Sequence, residues 1–227
     1  DEDFIDPNEQ IRNEKYIISI GRPSYQKNPL LMVETMKRVH KKHPNVKFYL
    51  VGVGYYSPMQ EETLALISQY GLQDVFVMLP WLSHAETLGY LKYAQAYLTT
   101  SLYEGLPIAV LEAMAMGKPV VSSDVIGNRD CVKDGENGYL LPMDADKMAN
   151  AVCQLFADNS LRQAMGAVSK KLFEKKFLID NRIGDLERIY RQIALKTEGM
   201  TSALGGGKYD VILIAAATSE EERRLAA

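Results

Sequence analysis

The sequence predicts an α/β fold, a parallel sheet covered by helices on both faces. Three observations predict it. Short apolar segments alternate with helical ones over residues 16–141. Helix-start signals stand between those segments, so each crossover runs through a helix. Four candidate ligand loops, Arg22 to Lys27, Gly52 to Gly54, Pro80 to Ser83 and Ser101 to Leu106, all follow strands, where ligands bind in such folds.

Tyr16 to Gly21 reads as the first strand. Asn28 is then a helix N-cap with Pro29 in the first turn, and Leu30 to Lys42 is the helix. Val46 to Gly52 is the second strand, and Ser57-Pro58-Met59-Gln60 reads as a capping box opening the next helix. Asp74 to Leu79 is the third strand, followed by a second capping box, Ser83-His84-Ala85-Glu86. Ala96 to Thr100 is the fourth strand. A helix follows with Pro107 at its first position and Gly117 at its end. Pro119 to Ser122 is the fifth strand, and Asn137-Gly138 turns the chain into Tyr139 to Leu141. Asp144 to about Leu195 reads as helical. Gly205-Gly206-Gly207 then resembles a linker, Lys208 to Ala217 a buried strand, and Thr218 to Glu221 a helix start. The boundaries expected are one domain over residues 1–199 and a tail over 200–227 that adds an edge strand, swaps into another molecule or is foreign sequence.

The chain has 227 residues, 47% hydrophobic and 24% charged, which is ordinary for a water-soluble globular protein. A net charge of -3 gives no reason to expect a nucleic-acid partner. Cys131 and Cys153 form neither a metal pattern nor a disulfide framework, and a reducing compartment is expected. No segment approaches the roughly 20 apolar residues of a membrane span. DEDFIDPNEQ lacks the pattern of a signal peptide. The expected location is the cytoplasm, with peripheral contact at the inner membrane face compatible with this composition.

The chemistry is expected in four places. Gly21-Arg22-Pro23-Ser24-Tyr25-Gln26-Lys27-Asn28 puts a permanent cation and a lysine on the loop after the first strand, suited to a diphosphate. Val51-Gly52-Val53-Gly54 lets a backbone come close to a ligand, or simply makes a tight turn. Leu79-Pro80-Trp81-Leu82 could flank a nucleotide base, or place the sole tryptophan in the core. Pro107 to Met116, PIAVLEAMAM, is apolar except for Glu112, so it reads as a buried helix carrying an acid. With Glu104 just upstream, two acids flank a helix start that favours anions. A ligand bearing both phosphates and hydroxyls, such as a nucleotide-sugar, fits. The plainer alternative is a capping Glu104 and a Glu112 paired within the core.

The strings GRPSYQKN, VGVG and SLYEGLPIAVLEAMAMGKPVV, in this order, resemble retaining glycosyltransferases of the GT-B architecture. The match is closest to family 4, the glycosyl transferases group 1, whose E-x7-E pattern the third string carries. The resemblance spans about Tyr16 to Ile193. It implies a Rossmann-like, C-terminal donor-binding half, with a separate N-terminal half holding the acceptor. It implies that Arg22 and Lys27 hold the donor diphosphate and that Glu104 contacts the donor sugar near the reacting carbon. Gly105 and Leu106 would offer amides, and Glu112 would bond the ribose hydroxyls. Glu104, Arg22 and Lys27 are thus the expected catalytic set. Gly52, Gly54, Trp81, Leu82, Gly105, Leu106 and Glu112 complete the expected donor-binding set. The resemblance implies no metal and no cofactor: a UDP-, GDP- or ADP-linked sugar is the donor substrate, and a glycan or lipid-linked molecule the acceptor. Asp144-Ala145-Asp146 has the form of a D-x-D metal motif but is better explained as a helix N-cap. One departure stands out. The family commonly has Gly-Gly and then Glu after the fifth strand, where this chain has Ile126-Gly127-Asn128-Arg129-Asp130. Asn128 is there expected to tolerate a left-handed backbone. A competing expectation is a non-catalytic binding or assembly module of the same fold. A nicotinamide dehydrogenase fits poorly, since no G-x-G-x-x-G follows the first strand.

Overall fold

A computed structural model of the protein describes residues 4–54, 56–179, 183–184 and 186–193. Residues 1–174 form one compact unit and 175–227 a second. The expected tail over 200–227 lies outside the described residues. In the second unit the described residues 183–184 and 186–193 are helical.

The first unit is built on six parallel strands: β1 (Tyr16–Ile20), β2 (Lys47–Val51), β3 (Phe76–Leu79), β4 (Ala96–Thr99), β5 (Val120–Ser123) and β6 (Gly138–Leu141). Their order in the sheet is β3-β2-β1-β4-β5-β6, all parallel. Each strand lies within two residues of its predicted limits. The helices are α1 (Glu9–Asn13), α2 (Pro29–Lys42), α3 (Gln60–Gln69), α4 (His84–Tyr93), α5 (Ile108–Ala115), α6 (Ile126–Cys131), α7 (Ala145–Ala157) and α8 (Asn159–Lys176).

Successive strand residues point to opposite faces, and both faces are dry. Ile17, Phe48, Leu50, Leu98 and Val121 join Met32, Val33 and Met36 of α2, Ile67 of α3 and Met148, Val152 and Leu155 of α7 in one apolar cluster. The alternate residues Tyr16, Ile18, Tyr97 and Val120 are equally buried, as are Leu91 of α4 and Val110, Ala113 and Met114 of α5. Each Val, Leu, Ile, Phe or Met side chain among these contributes about 1.5–3 kcal/mol by leaving water.

Several local expectations need correction. Pro107 is the N-cap of α5, not its first helical residue, because its ψ of 90° is extended. Ser57 makes no capping box. The chain turns once more before α3, whose N-cap is Met59, and Ser57 Oγ instead accepts the Gly54 amide at 3.2 Å. Asn128 has a helical backbone within α6, not a left-handed one. The helix holding Glu112 is not buried all round, since Ile108 at its start is exposed. The box at Ser83 and Glu86 does form. Asp144 caps α7, accepting from the amides of Asp146 and Lys147 at 2.9 and 3.0 Å.

The leading segment lies across α4. Ile5 donates its amide to Ala85 O at 3.0 Å. Asp6 meets Lys92 Nζ at 3.4 Å and the Tyr93 hydroxyl at 2.9 Å. The Lys92 ammonium stands 3.7 Å above the Phe4 ring. Gly89 permits this approach: a Cβ there would stand 1.9 Å from Ile5 O. Among the described residues no helix is long and apolar enough to cross a membrane.

Candidate functional site

β1 and β4 are adjacent in the sheet but far apart in the chain. At their carboxyl ends the strand order changes direction, which is where ligands bind in folds of this kind. The loop after β1 (residues 21–28) and the loop after β4 (residues 100–107) meet there. Leu102 donates its amide to Gln26 O at 2.8 Å. The Thr100 hydroxyl reaches the carbonyls of Lys27 and Asn28, both at 2.9 Å. Gly21 at φ 138° leaves room for the Lys27 stem, since a Cβ would stand 3.2 Å from Lys27 Cε.

These contacts bring Lys27 and Glu104 together. Lys27 Nζ lies 2.7 Å from Glu104 Oε1, with the side chains 24% and 6% exposed. The Ser101 hydroxyl donates to the same oxygen at 2.6 Å, and Gln26 Nε2 donates to Oε2 at 3.4 Å. Gln26 Nε2 also donates to Tyr103 O at 3.1 Å. Glu104 is therefore desolvated, charge-paired and held by a hydroxyl, which fixes its orientation. Sequence reasoning did not single out Ser101 or Gln26. Their closeness to Glu104 and Lys27 in the chain was the available signal.

Gly127 braces the turn from below. Its amide donates to Glu104 O at 3.2 Å, and a Cβ on it would lie 2.1 Å from Gly105 O. Gly105 and Leu106 are exposed, and among the described residues neither amide donates to another group.

Arg22 stands apart from the Lys27–Glu104 pair. It is exposed, forms no ion pair among the described residues, and faces a cavity of about 670 Å³. Ser24, Gly54, Tyr56, Ser57, Gln60 and Glu61 share that lining. Gly52 is buried at φ 99°, with its Cα hydrogen directed where a Cβ would meet the Gly21 carbonyl carbon at 3.4 Å. Gly52 therefore lets the first two loops touch, while Gly54 opens on the cavity.

Glu112 is half-buried, with 22% of its side chain exposed. Burial pushes its carboxyl above the usual range, and His84 opposes that push. His84 Nδ1 stands 3.4 Å from Glu112 Oε1. The ring is 68% exposed at the first residue of α4, so Glu112 is not locked to an internal base. Trp81 is 62% exposed and so lies outside the core. Leu82 is half-buried beside it. The structure thus gathers Lys27 with Glu104 and puts Arg22 with Gly54 on the cavity. Glu112 instead meets His84, which follows the Trp81-Leu82 loop. Asp146 pairs with Arg38 at 2.8 Å on the surface, and no group of three or more metal-type side chains occurs among the described residues.

Known proteins resemble this chain in sequence and in fold. Alpha-D-kanosaminyltransferase of Streptomyces kanamyceticus is 28% identical over 180 residues, 79% of this chain and 46% of that protein. The GtfA subunit of the UDP-N-acetylglucosamine–peptide N-acetylglucosaminyltransferase of Streptococcus pneumoniae serotype 4 is 29% identical over 181 residues, 76% of this chain and 35% of that protein. The solved pneumococcal O-GlcNAc transferase GtfA, in complex with UDP and GlcNAc, superposes with a TM-score of 0.70 at 25% identity, covering 85% of this chain and 38% of that one. The chain spans about half the length of these relatives or less. The sequence profile described as "Glycosyl transferases group 1" matches residues 1–172, and the chain belongs to that family.

Proposed function

We propose that residues 1–199 are the donor-binding half of a retaining GT-B glycosyltransferase of family 4. It transfers a hexose-type sugar from a nucleotide donor to a glycan or lipid-linked acceptor. The observation that carries this reading is the Lys27–Glu104 pair at the switch point of the sheet, 2.7 Å apart. A second carboxylate, Glu112, follows seven intervening residues later with the exposed His84 beside it. A donor diphosphate would take Arg22 as a two-bond clamp and draw Lys27 toward its charge. The free amides of Gly105 and Leu106 would add to this. Glu104 would then face the sugar, where a carboxylate stabilises positive charge growing on the anomeric carbon. The carbon–oxygen bond to the diphosphate breaks as the acceptor oxygen bonds to the same face. The acceptor proton passes to the departing phosphate oxygen. Glu112 would accept from the ribose, and Trp81 and Leu82 would flank the base.

An N-terminal half would cover the crevice and bring the acceptor. The exposed Tyr25, Trp81, Tyr103, Leu106, Ile108 and Ile126, all on loops at the carboxyl end of the sheet or the helix starts beside them, support such a cover. Work in the cytoplasm, at the inner membrane face for a lipid-linked acceptor, fits this reading. The test is calorimetric titration of the 227-residue chain with UDP, GDP and ADP. Binding of at least one, weakened by Arg22→Ala and by Glu112→Gln, is expected. Absence of binding to all three overturns the reading.

A further inference from the structure

Glu112 has a neighbour that the proposed donor site does not yet use. His84 sits at the first residue of α4, its Nδ1 3.4 Å from Glu112 Oε1. Among the described residues no lysine or arginine lies within ion-pair distance of Glu112. The buried Tyr97 phenol of β4 feels the charge of both Glu112 and Glu104. Tyr97 hydrogen-bonds the main chain of Ile20, and a phenol carries no positive charge in either protonation state. Among the described residues His84 is thus the group that can place a positive charge beside Glu112.

We infer that His84 is a positioning residue for Glu112, holding Oε1 so that the other carboxylate oxygen is presented to the ribose hydroxyls of a nucleoside diphosphate. This inference rests on the donor reading above. At 3.4 Å the contact is mainly one of charge, so it is strongest when the ring is protonated. Burial favours the neutral form of Glu112, and a neutral carboxyl is the weaker acceptor for a hydroxyl. His84 opposes that effect and so keeps the carboxylate an acceptor for the ribose. The ring is exposed, so removing it leaves the core untouched.

The test is calorimetric titration of the 227-residue chain with UDP and with 2′,3′-dideoxyuridine diphosphate. It compares wild type with H84A, H84K and E112Q. The expected result is that H84A weakens UDP about five-fold. The dideoxy analogue should bind wild type and H84A equally. H84K, which keeps a cation beside Glu112, should restore UDP affinity. Unchanged UDP affinity and ribose discrimination in H84A, with E112Q still weak, overturns the role of His84 and leaves the donor reading standing. Unchanged affinity in E112Q overturns both.

Discussion

Lys27 and Glu104 are 77 residues apart in the chain and 2.7 Å apart in space. The pair spans the junction where the sheet reverses its order, so it ties the two halves of the sheet together at its carboxyl edge. Removing the cation leaves a desolvated carboxylate with only Ser101 and Gln26 for support. Lys27→Ala is expected to lower stability by about 1–3 kcal/mol in urea unfolding. Glu104→Gln should cost less, because the amide still accepts from Ser101 and Lys27 keeps contact with water. Equal losses would show that the pair is not held as described.

Arg22 offers the opposite case. It has no partner to lose among the described residues and faces the cavity. Arg22→Ala is expected to leave unfolding unchanged within about 0.5 kcal/mol. UDP binding should fall about ten-fold or more, the loss of the charge-assisted two-bond clamp. A drop in stability with no drop in affinity would assign Arg22 a structural role instead.

Gly127 and Gly105 form a matched pair for mutation. A Cβ on Gly127 would meet Gly105 O at 2.1 Å and Glu104 O at 2.7 Å, whereas one on Gly105 meets nothing within 4 Å. Gly127→Ala is expected to push the Glu104 turn outward, costing about 2–4 kcal/mol and weakening UDP. Gly105→Ala should change stability by less than about 1 kcal/mol. Thermal melts of both variants check the contrast.

Lys118 carries a pH signature away from the site. Burial, aided by Arg162, lowers its ammonium to about 8, from an ordinary 10.5. Its Nζ donates to Lys92 O at 2.5 Å. Below about pH 8 both folded and unfolded chains hold this proton, and the burial cost is fully present. Between 8 and 10.5 only the unfolded chain holds it, so stability from this group rises with pH, and above 10.5 the cost is gone. The rise is on the order of 2 kcal/mol. Urea unfolding at pH 8 and pH 10 should show it in wild type and lose it in Lys118→Met.

The strands were legible because both faces of the sheet are buried, so each reads as a compact apolar run. The glycines at 21, 52 and 117 and the two acids were legible for a similar reason: each breaks a local rule. Contacts that join distant segments were not. Nothing near Glu112 in the chain announces His84, which arrives from the preceding helix by packing. The Ser57 box failed because the S-x-x-Q spacing is compatible with a turn as well as with a helix start. Here the hydroxyl serves the Gly54 amide instead. Apolar content around Glu112 overstated its burial, since a helix opening onto a crevice can expose apolar residues such as Ile108. Arg22 and Lys27 sit five positions apart on one loop and yet face different neighbours, a divergence that spacing alone does not encode.

The contact between Ile5 and Gly89 has a mechanical consequence. Any side chain at position 89 would act as a wedge, since its Cβ would overlap Ile5 O, and would lift the leading segment off α4, breaking the bond from the Ile5 amide to Ala85 O.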